Sequence, residues 1–284
     1  MRRVYLLAIA LLLSMARAAP LAQGFAFGRA DSLKFAVIGD NGTGSRQQYE
    51  LGAQMDAHHA KFPFEFVLML GDNLYGPQTP NDFVDKFERP YRALLAAGVR
   101  FYAAIGNHDD PNADLRYAHF NMNGARYYTY VRRNARFVVA DTNFLDPAQI
   151  KWIDTTLDGA REQWKIVYFH HPLYSNGDRH GSNIELRVRL EPLLVKHGVD
   201  VVLSGHDHIY ERLKPQRGIT YFVAGSGGQL RKTGVTPSSL TAASFADDQA
   251  FTLMEIAGSE LSFRTISRTG RLVDSGIITS RRTS

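Results

Sequence analysis

From residue 34 onward one phrase recurs: a short apolar run of strand-forming residues, a polar cluster usually containing glycine, then a stretch with helical spacing. Few folds can bury such a chain. The apolar runs at 34–38, 64–70, 100–105, 136–140, 165–169, 199–203 and 219–224 carry too few polar positions for a one-sided sheet, so they read as strands covered on both faces. Between them, 46–60, 81–97, 147–157 and 184–196 have helical spacing, the third opening on Pro147 after Asp146 as N-cap. Strands alternating with helices predict a layered α/β domain. The tail, 251–278, reads instead as antiparallel hairpins separated by turns at 257–259 and 268–270. Residues 229–249, rich in Ser, Thr, Gly and Ala, predict a long connection that is mobile or functional.

The 284 residues contain no cysteine, which removes disulfides, thiolate metal sites and cysteine nucleophiles. The formal charge of +5 invites a nucleic-acid or membrane-surface reading, but the first 18 residues resemble a secretory signal. Arg2 and Arg3 precede an uninterrupted apolar run at 4–13, and Ala16-Arg17-Ala18 has the small-x-small form of a cleavage site. The run is short against the roughly 20 residues of a membrane-spanning helix. Cleavage after Ala18 removes three arginines and no acid, taking the charge from +5 to +2. No stable membrane span and no nucleic-acid partner are therefore expected, with cleavage between 18 and 24 and one catalytic domain over 31–281. Export without cysteine suggests a bacterial periplasm or exterior.

The strand ends carry the chemistry. Gly39-Asp40-Asn41-Gly42, Gly71-Asp72-Asn73-Leu74-Tyr75, Gly106-Asn107-His108-Asp109, His170-His171-Pro172 and Gly205-His206-Asp207-His208 each follow an apolar run. Layered α/β folds bind ligands outside the carboxyl ends of their strands, so these clusters can converge. His206 and His208, as alternate residues of an extended segment, would point the same way. Asp40, Asp72, Tyr75, Asn107, His170, His206 and His208 form a set of oxygen and nitrogen donors too large for one tetrahedral zinc and suited to two metals sharing a carboxylate. Two cations about 3.5–4 Å apart suit displacement at phosphorus, one preparing hydroxide while both neutralise phosphoryl charge. A serine hydrolase is disfavoured, because Gly225-Ser226-Gly227-Gly228 lacks the G-x-S-x-G elbow.

The ordered set GDNG, GDNLY, GNHD, VYFH and GHDH resembles the calcineurin-like metallophosphoesterases and, within them, the purple acid phosphatases of the small, single-domain, tartrate-resistant type. Tyr75 carries the narrower likeness. The resemblance implies a four-layer α/β/β/α sandwich with two mixed sheets. It implies Fe(III) on Asp40, Tyr75 and His208, a divalent ion (Fe, Zn or Mn) on Asn107, His170 and His206, and Asp72 bridging. Asn41 stands where many animal members have Trp. His108 would then meet the leaving group, with His180 a second candidate beside it. His171, His119, His58, His59 and His197 read as structural or surface residues. The expected function is hydrolysis of phosphate monoesters, small-molecule substrates, by metal-activated hydroxide. A phosphodiesterase or nucleotidase on the same metals, and a non-catalytic phosphate-binding protein, remain alternatives.

Overall fold

Every residue of β1 (Leu33–Ile38) is buried, and its alternate side chains enter two different cores. Phe35 and Val37 face one core and Ala36 and Ile38 the other, which is why the run has no polar side to show. A computed structural model describes residues 27–282; the expected signal segment, 1–18, lies outside the described residues. In chain order follow β2 (Phe66–Met69), β3 (Arg100–Ala103), β4 (Tyr128–Arg132), β5 (Ala135–Val139), β6 (Trp164–Tyr168) and β7 (Val201–Ser204). After them come β8 (Tyr210–Leu213), β9 (Thr220–Ala224), β10 (Thr241–Phe245), β11 (Ala250–Ala257), β12 (Glu260–Ser267) and β13 (Leu272–Thr279). The helices are α1 (Arg46–His59), α2 (Pro80–Phe83), α3 (Arg92–Ala96), α4 (Pro111–Asp114), α5 (Pro147–Asp158) and α6 (Ile184–Lys196).

The strands form two mixed sheets, of order β13-β12-β11-β1-β2-β3 and β10-β8-β9-β7-β6-β5-β4. β1, β2 and β3 run parallel in the first sheet, and β5, β6, β7 and β9 in the second. The inner faces meet in one core, where Phe35, Phe66 and Leu68 pack with Phe137, Ile166 and Phe222. Outside the first sheet, Leu51 and Met55 of α1 cover Ala36, Val67 and Met69. Outside the second, Ile153 and Leu157 of α5 and Leu186, Leu190 and Leu194 of α6 cover Val138, Val167 and Val202. The result is the expected four-layer α/β/β/α sandwich, with the tail hairpins extending the first sheet.

Two expectations change. The helix expected over 81–97 is three pieces: α2, a π-helical turn at Val84–Glu88, and α3. Pro90 has no N–H to give the Lys86 carbonyl four residues earlier, and Gln48 Nε2 bonds that carbonyl instead at 2.6 Å. The connection 229–249 is not wholly irregular, because β10 pairs antiparallel with β8 at the sheet edge.

Candidate metal centre

Parallel strands from both sheets deliver their carboxyl ends to one junction. The loops after β1, β2 and β3 carry Asp40, Asp72 with Tyr75, and Asn107 with His108; those after β6 and β7 carry His170, His206 and His208. Backbone bonds tie the loops together, Asp40 N donating to Gly71 O at 3.0 Å and Gly205 N to His170 O at 2.9 Å. The contact is too close for side chains: a Cβ on Gly106 would lie 2.1 Å from Asp72 N, so only glycine fits there. Asp40, Asp72 and His206 themselves adopt left-handed backbone angles, φ 54°, 50° and 69°. Such strain in non-glycine residues persists only where the surroundings impose it.

All seven candidate ligands come together, in two groups. In the first, Tyr75 Oη lies 3.2 Å from Asp40 Oδ1 and 3.1 Å from His208 Nε2. In the second, His170 Nε2 lies 3.0 Å from Asn107 Oδ1 and 3.2 Å from His206 Nδ1. Asp72 belongs to both: its Oδ1 is 3.3 Å from His170 Nε2, and it offers a ligand atom within 4.8 Å of those of Asp40 and His208. His206 and His208 thus serve different groups. Residues 206–209 form a bend rather than the expected extended run, and both histidines line the same cleft.

The donor set calls for positive charge. His170 Nδ1 meets the Leu70 carbonyl at 2.9 Å, so that nitrogen carries the proton and Nε2 is aimed at Asn107 Oδ1 and His206. A proton or a metal ion must satisfy that convergence of acceptors, and the two compete. Burial disfavours charge on His170, but the Asp72 and Asp40 carboxylates outweigh it and push the imidazole up to about 9. Burial, then the charge on His170, pushes His206 down to about 2 and keeps its lone pair free. Burial would raise Asp72, yet the His170 charge and the bonds from His170, the His108 N–H and Tyr75 hold it below the usual carboxylate range. Tyr75 is pushed well above its ordinary value by burial and by Asp40 and Asp72, so only a cation would ionise it here. The residues therefore fit two metal ions sharing Asp72.

A cleft of about 390 Å³ opens over these groups, lined in part by Asp72, Tyr75, Asn107, His108 and His180. His108 is exposed, its ring centroid 4.9 Å from that of Tyr75, while its backbone N–H donates to Asp72 Oδ1 at 2.9 Å. The His180 ring lies 4.0 Å from that of His206, which brings this loop residue into the site. His58, His59, His119 and His197 instead contact Phe251, Phe64, Phe87 and Asp154.

Two further residues lie beside the candidate ligands. His171, expected to be structural, offers a ligand atom within 4.8 Å of those of His170 and His206, with its Nδ1 2.9 Å from Thr142 Oγ1. Its place beside His170 at a strand end was the only available signal. Asp109 accepts from the backbone N–H of Asn73, Leu74 and Gly106 at 2.7, 3.2 and 2.7 Å, clamping the loops of Asp72 and Asn107 together. The Asp after Asn-His was visible, but its partners were not.

The calcineurin-like phosphoesterase family model matches residues 33–210. Purple acid phosphatase 4 of Arabidopsis thaliana is 30% identical over 271 residues, covering 81% of this chain and 79% of the relative. Tartrate-resistant acid phosphatase type 5 of Homo sapiens is 25% identical over 295 residues, covering 86% and 90%. Among solved structures, the purple acid phosphatase PPD1 from yellow lupin seeds matches with a TM-score of 0.71 at 19% identity, covering 89% of this chain and 55% of that one. GAP50, the anchor in the inner membrane complex of Plasmodium, matches with a TM-score of 0.79 at 20% identity, covering 89% and 90%. These two structural likenesses concern the fold. With the family model matched over more than half its length, this chain belongs to the calcineurin-like metallophosphoesterases.

Proposed function

We propose that this chain is a phosphatase hydrolysing phosphate monoesters at a two-metal centre of the purple acid phosphatase kind. One observation carries the reading: Asp72 stands between a phenol-containing donor group and an Asn/His group. Asp40, Tyr75 and His208 would hold Fe(III), a hard ion suited to carboxylate and phenolate. Asn107, His170 and His206 would hold a divalent Fe, Zn or Mn ion, with Asp72 shared. The fold alone does not carry activity.

Bound there, the ions supply Lewis acidity for water and for the phosphoryl oxygens. The chain supplies position and a proton. Strand-end loops present the ligands, and His108, exposed at the mouth, would protonate the departing oxygen. His180 is the second candidate for that task. The P–O bond to the alcohol breaks as a P–O bond to the water oxygen forms, and one water proton is returned through the acid to the alkoxide. The chain reaches this work by export, cleaved between residues 18 and 24; N-terminal sequencing of the protein from the culture medium or periplasm tests that step.

Metal analysis with a visible spectrum of the purified protein tests the metal assignment. Iron with a second metal, and a phenolate-to-iron band that Tyr75→Phe bleaches, are expected. An active, colourless protein holding only zinc or manganese would remove the iron assignment. Assay of an alkyl monoester beside a dialkyl diester decides the substrate: faster diester turnover would replace the monoesterase reading.

A further inference from the structure

The rim of the cleft carries two arginines with no anionic partner. Arg179 and Arg231 both line it, and among the described residues neither guanidinium takes part in a hydrogen bond or ion pair. Most arginines that reach a carboxylate elsewhere are committed, as Arg126 is to Asp141, Arg136 to Glu162, and Arg212 to Asp274. Two unpaired guanidiniums on one cleft rim, Arg179 exposed and Arg231 half-buried, are free to bind an anion there.

Their placement is built. Arg231 is half-buried, and its stem occupies the space that a side chain at Gly234 would need: a Cβ there would lie 2.2 Å from Arg231 Cγ. Its backbone N–H donates to the His208 carbonyl at 2.9 Å, tying it to a candidate metal ligand. Arg179 lies in a loop held from below by Asp207, which is buried between His206 and His208 and accepts from Ser175 Oγ at 2.6 Å, His180 N at 3.3 Å and Gly181 N at 3.1 Å. The two arginine segments are also stitched to each other. Gly177 bridges Val235, Asp178 N donates to Gly234 O at 3.0 Å, and Thr236 Oγ1 donates to Asp178 Oδ1 at 2.8 Å. Together they form one lip over the cleft.

Two metal ions would already neutralise the phosphate being cleaved, so the lip's two positive charges are surplus for a simple ester. We propose that Arg179 and Arg231 bind a second phosphate carried on the leaving group, making the preferred substrate a phosphate monoester whose alcohol bears another phosphate. The inference rests on the phosphatase reading above and gives its substrate class. Guanidinium pairs with phosphate through two parallel N–H bonds, which a neutral alcohol cannot use.

The test compares an alkyl phosphate with the α,ω-diol bisphosphate of the same chain length, over a series of lengths, on the full metal-loaded chain. At the best length the ratio of kcat/KM, bisphosphate to monophosphate, should well exceed two, the statistical factor from its two equivalent phosphates, and fall about tenfold for Arg179→Ala and again for Arg231→Ala, as loss of a charge-assisted bond implies. Arg231→Met keeps the packed stem without the charge and should lose the same ratio as Arg231→Ala. A wild-type ratio of about two or less at every length, a ratio unmoved by the substitutions, or equal loss on both substrates would overturn the proposal. A second arm measures Kd by calorimetry for alkylphosphonates and α,ω-alkane bisphosphonates, which cannot be hydrolysed. Tighter bisphosphonate binding that the same substitutions abolish keeps the lip even if neither ester turns over, and in that case only the phosphatase reading falls. Kd values that differ by no more than the twofold statistical factor reject the lip itself.

Discussion

The exposed imidazole of His108 lies over Tyr75 while its own backbone N–H holds Asp72, so side chain and main chain have separable tasks. Removing the ring leaves the bond to Asp72 in place. His108→Ala should keep both metals and lose about 10²–10⁴-fold on an alkyl phosphate, whose leaving oxygen needs a proton, but much less on a nitrophenyl phosphate. Metal content and the two rates are measured on one preparation; depleted metal with equal losses would make His108 a support for the ligands. Asp114 offers a pH test. Burial, then the Asp109 charge, pushes its carboxyl up to about 9, whereas in the unfolded chain it ionises near an ordinary value of about 3.9. Its contribution to stability is therefore full below about pH 4 and is lost progressively as pH rises through about 9. Asp114→Asn lacks that slope, so its stability relative to wild type should rise by up to about 1 kcal/mol per pH unit in that window. Urea unfolding at about pH 5 and pH 8 measures it, and a difference independent of pH would contradict the shift.

At the scale of elements, the centre is a set of strand-end loops crossing at van der Waals limits. Gly106→Ala puts a methyl group 2.1 Å from Asp72 N and 2.2 Å from Asp72 Oδ1, so the loops of Asp72 and Asn107 must part. A loss of about 2–3 kcal/mol by urea unfolding, together with loss of metal, is expected. Full metal content at wild-type stability would show that the loops have slack. The strands and tail hairpins were legible because a period of two, or an unbroken apolar run, is local information. The broken helix was half legible: Pro90 is in the sequence, but the side chain that takes over its lost bond comes from Gln48, on another helix. β4, β8 and β10 escaped notice for a related reason. β4 is only part-buried and β10 lies at a sheet edge, so neither needs a wholly apolar run.

On the scale of the molecule, the centre joins the two sheets. Asp40, Asp72, Tyr75 and Asn107 follow strands of the first, and His170, His206 and His208 follow strands of the second. Metal bound there would therefore stabilise the whole sandwich. Chelation should lower the thermal transition by about 5–10 °C, the equivalent of about 3 kcal/mol for ligand at roughly 100 times its Kd, and added metal should restore it. A transition unmoved by chelator would mean the ions do not couple the sheets. The sequence by itself determined the layered α/β class, the strand ends as the seat of the chemistry and all seven candidate ligands, because turn residues and metal donors are chosen locally. Only the tertiary structure decided that the seven donors come within reach of one another, that His171 and Asp109 lie beside them, and that two arginines from distant segments form one lip. Each of these depends on which loops from two separate sheets come within a few ångströms of each other, and no local spacing encodes that distance.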